Sequence, residues 1–190
     1  LGIAIIEGYG MTEASPIIAV NKPGNSRVGT VGQALDCNEI KILATKEILV
    51  KGKNVMLGYY KNPELSRELI DKEGCLHTGD LGFIDKEGFL TIIGRAKDMI
   101  VLSTGKNIFP ESLENSLNES RYIEQSMVYG DNDKQLSAII VPNFEQLKIW
   151  LDERNIAMDL KNEKIMDFYK DKIKEKLSGF AKVEQINNFK

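Results

Sequence analysis

Three short stretches of this 190-residue chain bring together side chains able to do chemistry. The first is Glu7-Gly8-Tyr9-Gly10-Met11-Thr12-Glu13, where two glycines bracket an aromatic ring and a hydroxyl and a carboxylate follow at once. Glycine lets backbone approach a ligand closely. Tyr9 offers a stacking face, Thr12 a donor for a phosphate oxygen, and Glu13 an oxygen ligand for Mg²⁺. The same residue types also make an ordinary turn, and for the heptapeptide alone the turn is the commoner outcome. The second stretch is Cys75-Leu76-His77-Thr78-Gly79-Asp80. Asp80 follows Thr-Gly at a tight turn, where a carboxylate can accept two hydrogen bonds from a diol such as a ribose; the alternative is a turn acid bonding its own backbone. His77, the only histidine, reads as structural. The third runs from Gly94 to Glu111. Arg95, Lys97 and Asp98 crowd behind Gly94, the apolar run Met99-Ile100-Val101-Leu102 follows, then a Thr104-Gly105-Lys106-Asn107 turn. A Walker phosphate loop needs glycine at position 100 and Ser or Thr after Lys106. Ile100 and Asn107 stand there, so Gly105 is either a turn glycine or a place where a ligand chain passes close to backbone.

The elements that position these residues differ on the two sides of Arg95. Upstream, Glu39-Ile40-Lys41-Ile42 alternates and Glu47-Ile48-Leu49-Val50-Lys51-Gly52 is β-rich, which predicts strands. Asn62-Pro63-Glu64 opens a short helix to about Ile70, with Asn62 as cap and Pro63 in its first turn. Asp71-Lys72-Glu73-Gly74 recurs as Asp85-Lys86-Glu87-Gly88, each a hairpin turn with Gly in the left-handed position. Phe89 to Ile93 reads as a strand, and the apolar run from Leu1 to Ile6 as a buried strand or a helix end.

Downstream, Pro110 opens a helix to about Glu119 with Leu113 and Leu117 inward, and Gln125–Tyr129 and Gln135–Val141 read as strands. Asn143 with Gln146 resembles a capping box, starting a helix that carries Phe144, Leu147, Trp150 and Leu151 on one side. A last helix, Asn162 to Leu177, sets Ile165, Tyr169, Ile173 and Leu177 four apart. Ser178 to Lys190 reads as a strand-poor tail. The expected fold is α+β. Residues 1–95 form the β-rich, barrel-like remnant of a large domain, and residues 96–190 a small domain with a three-stranded sheet and about three helices.

A net charge of −3 and a pI near 5.4 argue against nucleic acid held on a basic face. No apolar run reaches the ~18 residues of a membrane span. Cys37 and Cys75 lack disulfide-framework or zinc spacing, so a reducing, cytoplasmic setting is the default; peripheral membrane contact stays open. The opening at Leu1 and the ending Asn187-Asn188-Phe189-Lys190 suggest part of a longer protein.

In order and spacing, Gly8-Tyr9-Gly10-Met11-Thr12-Glu13, Gly52-Lys53-Asn54-Val55-Met56-Leu57-Gly58-Tyr59-Tyr60 with Pro63-Glu64, His77-Thr78-Gly79-Asp80, and Gly94-Arg95-Ala96-Lys97-Asp98 with Gly105 and Pro110-Glu111 resemble the adenylate-forming (AMP-binding) superfamily. The junction from Lys97 to Pro110 looks most like the long-chain fatty-acid–CoA ligase branch. The resemblance implies ATP, Mg²⁺ and CoA as ligands and a fatty or other small carboxylic acid as substrate. The acid is activated as an acyl-adenylate with release of pyrophosphate, then passed to CoA with release of AMP. It implies that Tyr9 packs on adenine beside Gly10, Thr12 touches the α-phosphate and Glu13 helps hold Mg²⁺. Asp80 binds the ribose hydroxyls and Arg95 reaches the ribose from the other side. Lys97 is the hinge and Gly105 lines the pantetheine path. Two readings stay beside it: an adenylation domain that loads a carrier protein, and a non-catalytic nucleotide-binding module. The family's upstream phosphate loop and late Gly-Lys lysine are not in the chain, which predicts that these 190 residues alone are inactive. The chain departs from the family at Lys46, where glycine is usual, at Asp36-Cys37-Asn38, which replaces a Pro-Gly-apolar turn, and at Cys75, where an aromatic is usual.

Overall fold

A computed structural model describes residues 5–190. The chain divides into two compact units, Leu1–Lys97 and Asp98–Lys190. Most of the apolar opening run lies outside the described residues. Ile5 and Ile6 are exposed and belong to no regular element.

The first unit is β-rich. Strands β1 (Gly8–Gly10), β2 (Ile17–Val20) and β3 (Gln33–Ala34) form an antiparallel sheet in that order. Strands β4 (Asn38–Ile42), β5 (Glu47–Gly52), β6 (Leu76–Ile84) and β7 (Leu90–Arg95) form a second, also antiparallel, and helix α1 (Pro63–Leu69) intervenes between β5 and β6. Fully buried Ile18, Ile48, Val50, Leu76 and Leu90 make the core; a buried branched side chain of this size stabilises by about 2 kcal/mol. The Asp-Lys-Glu-Gly repeat gives the same turn twice. Asp71 Oδ1 accepts from the N–H groups of Glu73 and Cys75, and Asp85 Oδ1 from those of Glu87 and Phe89. Gly74 and Gly88 take left-handed φ of 78° and 85°. Lys46, at the β4–β5 turn, also has a positive φ, 70°. This is the departure from glycine noted above: the turn keeps the conformation that favours glycine and forces it on a lysine.

In the second unit β8 (Ile100–Val101) and β9 (Asn107–Ile108) form a short hairpin. Helix α2 (Pro110–Asn118) follows, then β10 (Ile123–Tyr129), β11 (Leu136–Pro142), α3 (Phe144–Asp152), α4 (Glu163–Lys176) and β12 (Ile186–Phe189). The sheet order is β10-β11-β12. Leu113 and Leu117 of α2, Leu147 and Leu151 of α3, and Ile165, Tyr169 and Ile173 of α4 are buried against it. Asn143 accepts from Gln146 N–H and Asn162 from Lys164 N–H, capping α3 and α4.

Two expectations change. Phe144 is 51% exposed and does not join the stripe of α3, whose inward face is Leu147 and Leu151. The Ser178–Lys190 tail is not strand-poor: β12 pairs parallel with β11 and completes the sheet. Among the described residues no helix is long and apolar enough to cross a membrane.

Candidate active site

Asp80 and Arg95 are cross-strand neighbours on β6 and β7. Residues directly opposite on an antiparallel pair project to the same face, and Arg95 Nε lies 2.8 Å from Asp80 Oδ1. From β1 the Tyr9 hydroxyl donates to Asp80 Oδ2 at 2.6 Å. Thr78 locks the approach, its Oγ1 donating to Ile48 O and accepting from Asp80 N–H. The Asp80 carboxylate therefore bonds a tyrosine 71 residues away and an arginine 15 residues away. The turn-acid alternative fails for Asp80, although Asp71 and Asp85 are turn acids of that kind. Asp80 is only 6% exposed, and a buried carboxylate needs a compensating cation or hydrogen bonds; it has both. Burial, reinforced by the Asp80 bond, pushes the Tyr9 hydroxyl far above its ordinary pKa, so Tyr9 is a neutral donor at physiological pH. Arg95 lies on the same sheet as Asp80, as its direct cross-strand partner.

Glu13 sits in the short 3-10 turn Thr12–Ala14 that follows β1. The loop before α1 grips this turn at main chain and side chain. Met56 N–H donates to Glu13 O at 2.8 Å, Asn54 Nδ2 to Ala14 O at 2.8 Å, and the Tyr59 hydroxyl to Glu13 Oε1 at 2.6 Å. The Tyr59 bond holds the Glu13 carboxyl below the usual carboxylate range, and the same bond raises the Tyr59 hydroxyl. Gly10 is required for a reason the heptapeptide alone does not reveal. A Cβ there would fall 1.9 Å from Pro16 O, so the close approach is to the chain's own backbone where it turns into β2. An open concavity of about 510 Å³ borders Gly8, Tyr9, Gly10, Met11 and Thr12.

His77 Nδ1 lies 3.3 Å from Glu47 Oε2, while Glu47 Oε1 accepts from Gly79 N–H; the histidine braces the turn before Asp80. Lys97 is exposed, in the 3-10 turn Ala96–Asp98, and is the last residue of the first unit. Gly105 belongs to the second unit. It has φ 76° in the turn joining β8 to β9, with nothing within 4 Å of an added Cβ.

Tyr9, Gly10, Thr12, Glu13, Asp80 and Arg95 thus lie in one unit, and hydrogen bonds join Tyr9, Asp80 and Arg95 directly. Sequence reasoning assigned no role to Tyr59 or Thr78. Tyr59 stands 46 residues from Glu13, and only its place in the Gly58-Tyr59-Tyr60 motif flagged it. Among the described residues no group of three or more His, Cys, Asp or Glu gathers as a metal cage. Glu13 supplies one carboxylate, which fits Mg²⁺, an ion held by one or two carboxylates together with substrate phosphates.

Residues 1–60 match the AMP-binding enzyme family and residues 97–184 the AMP-binding enzyme C-terminal domain. The chain belongs to the AMP-binding enzymes. Over 149 residues it is 38% identical to long-chain-fatty-acid–CoA ligase FadD15 of Mycobacterium bovis, covering 78% of this chain and 25% of the relative. It is 36% identical over 167 residues to the long-chain-fatty-acid–[acyl-carrier-protein] ligase AEE15 of Arabidopsis thaliana, covering 77% and 23%. The chain spans about a quarter of the length of these curated AMP-binding relatives. It also superposes, with a TM-score of 0.75 and 29% identity, on O-succinylbenzoate coenzyme A synthetase from Bacillus subtilis. That enzyme was solved in complex with ATP and a magnesium ion, and the match covers 99% of this chain and 38% of that one.

Proposed function

We propose that the chain is the nucleotide-gripping part of an ATP-dependent ligase that activates a carboxylic acid, in the best-supported reading a fatty acid, and transfers it to CoA. The observation that carries this is the buried Asp80 carboxylate held between the Tyr9 hydroxyl and the Arg95 guanidinium. A carboxylate has about four lone-pair sites, so an Asp80 that already accepts two bonds retains capacity for a ribose diol. Arg95 supports the same sugar from the neighbouring strand, and the Tyr9 ring, fixed through its hydroxyl, packs on adenine beside Gly10. Thr12 hydrogen-bonds the α-phosphate and Glu13 holds the magnesium ion, which when bound neutralises phosphate charge.

An oxygen of the substrate carboxylate attacks the α-phosphorus, the bond to the β-phosphate oxygen breaks, and pyrophosphate leaves. The chain's contribution is to orient the nucleotide and compensate charge. CoA sulfur then attacks the acyl carbonyl, the carbonyl-to-phosphate oxygen bond breaks, AMP leaves and the thiol proton passes to solvent. Lys97 acts as the hinge between the two half-reactions, since the division between units falls there. Gly105, with no side chain, lets the pantetheine arm pass.

The test uses the full-length protein with palmitate, ATP, Mg²⁺ and CoA. The expected result is AMP and pyrophosphate in equal amounts, with loss of turnover in Asp80→Ala. No AMP from any carboxylate offered would overturn the reading. The 190-residue chain by itself gives no turnover in the same assay. A second reading, transfer to a carrier protein, is favoured by the name of the Arabidopsis relative. Offering CoA and a phosphopantetheinylated carrier protein in parallel separates the two acceptors.

A further inference from the structure

Tyr59 lies outside the residues assigned to substrate, yet its hydroxyl makes the hydrogen bond that fixes the Glu13 side chain, at 2.6 Å. It is itself held from the other side. Its N–H donates to Ser66 Oγ at 2.8 Å, and Ser66 Oγ donates to Asn62 O at 2.7 Å. Asn62 Oδ1 in turn caps α1 through Leu65 N–H. Gly58, immediately before Tyr59, has φ 143°, and a Cβ there would come within 2.8 Å of Ser66 Oγ. The first turn of α1 therefore sets the loop, the loop sets the Tyr59 ring, and the ring sets one carboxylate oxygen of Glu13.

We propose that Tyr59 is a positioning residue for divalent-metal binding: by occupying Glu13 Oε1 it leaves Oε2 as the oxygen offered to the cation, in one orientation. This rests on the reading of Glu13 as the magnesium-holding residue. The arrangement favours a single-oxygen contact over a two-oxygen one. That suits Mg²⁺, which takes six ligands at short, near-ideal geometry, and disfavours Ca²⁺, which accepts both oxygens of a carboxylate. Without the phenol, Glu13 regains rotamer freedom and its two oxygens become equivalent. The preference for the smaller ion then weakens and the entropy of ordering the side chain falls on metal binding. Because the tie reaches Glu13 from a separate loop, no local sequence pattern around Thr12-Glu13 announces it.

The experiment uses the full-length enzyme and its Tyr59→Phe, Ser66→Ala, Glu13→Gln and Tyr59→Phe/Glu13→Gln variants, each checked for folding by circular dichroism. Mn²⁺ affinity in the presence of a non-hydrolysable ATP analogue is read by electron paramagnetic resonance. The Mg²⁺ concentration for half-maximal adenylation and the inhibition by Ca²⁺ are read separately. Tyr59→Phe is expected to weaken Mn²⁺ binding and raise the half-maximal Mg²⁺ by about tenfold, the scale of a hydrogen bond to a charged group. Thioester formation from supplied acyl-adenylate should stay at the parental rate. Ser66→Ala shifts both readouts in the same direction by less, and the double variant is no worse than Glu13→Gln, since the two residues act in series. If Glu13→Gln shifts metal binding and folded Tyr59→Phe does not, the positioning role is overturned while the Glu13 reading stands. If Glu13→Gln leaves metal binding unmoved, both fall.

Discussion

Tyr9 and Asp80, 71 residues apart, share a 2.6 Å hydrogen bond that ties the Gly-Tyr-Gly strand to the Thr-Gly-Asp strand. The bond satisfies one oxygen of a carboxylate that is nearly out of water, and Arg95 satisfies the other. Removing the phenolic hydroxyl leaves Asp80 Oδ2 without its partner. Tyr9→Phe is therefore expected to destabilise the first unit by about 1–3 kcal/mol, the penalty for orphaning a buried acceptor. The urea midpoint of the 190-residue chain checks it, and a midpoint within error of the parent would mean that water replaces the hydroxyl. In the full-length enzyme the same change should raise KM for ATP more than it lowers kcat, because it loosens the nucleotide grip rather than the reacting centre.

Gly10→Ala should do more damage than its chemistry suggests. The new methyl would meet Pro16 O, a backbone atom of the adjoining turn that cannot swing aside as a side chain could. Pairing of β1 with β2 must open, and a loss of about 2–4 kcal/mol is expected, in the range of severe overpacking. Amide hydrogen exchange at Met11, whose N–H donates to Pro16 O, reads it directly: protection there should vanish in the variant.

At Lys46 the direction reverses. A non-glycine residue at φ 70° carries a steric cost of about 1–2 kcal/mol, partly offset by the extra unfolded-state freedom of glycine. Lys46→Gly should raise the stability, read from the urea midpoint, by up to about 1 kcal/mol, and Lys46→Val should lower it, since β-branched residues tolerate that region worst. Equal midpoints for all three would show that the turn relaxes.

These three predictions divide along what the chain discloses locally. Caps and prolines announced α1, α2 and α3, because Asn62, Pro63, Pro110 and Asn143 act within one helical turn, while α4 was announced by its apolar stripe. The repeated Asp-Lys-Glu-Gly turns were legible for the same reason. Strand β12 was not: Ile186-Asn187-Asn188-Phe189 has two polar residues at its centre, and its pairing comes from β11, some fifty positions earlier. Phe144 had helical spacing but sits at the exposed start of α3, where the core does not reach. Asp80 and Arg95 were flagged by residue type and motif, but their direct pairing depends on the β6–β7 register, including its shift at Leu81/Gly82. Tyr59 was invisible as a partner of Glu13 because nothing local joins them.

The pH dependence follows from carboxylates and phenols shifted in opposite directions. Tyr59 lowers the pKa of Glu13, and backbone N–H bonds, first those from Cys75 and Phe89, lower those of Asp71 and Asp85. A depressed folded pKa means that the unfolded chain binds protons first on acidification. The stability these groups contribute is fully present above the ordinary carboxylate range and drains away as pH falls through their lower folded values. On the alkaline side burial pushes Tyr169 up to about 12 from its ordinary value of 10.0. Its contribution is intact below that ordinary value and is lost as pH rises through the folded one. Urea midpoints across pH should thus form a plateau with an acid shoulder and an alkaline shoulder. Asp85→Asn should remove part of the acid shoulder only, and Tyr169→Phe should shrink the alkaline shoulder while leaving the acid limb where it was. If Tyr169→Phe leaves the alkaline limb in place, another phenol with a raised pKa, Tyr9 or Tyr59, governs it. Absorbance of tyrosinate in the two single variants Tyr9→Phe and Tyr59→Phe then identifies which.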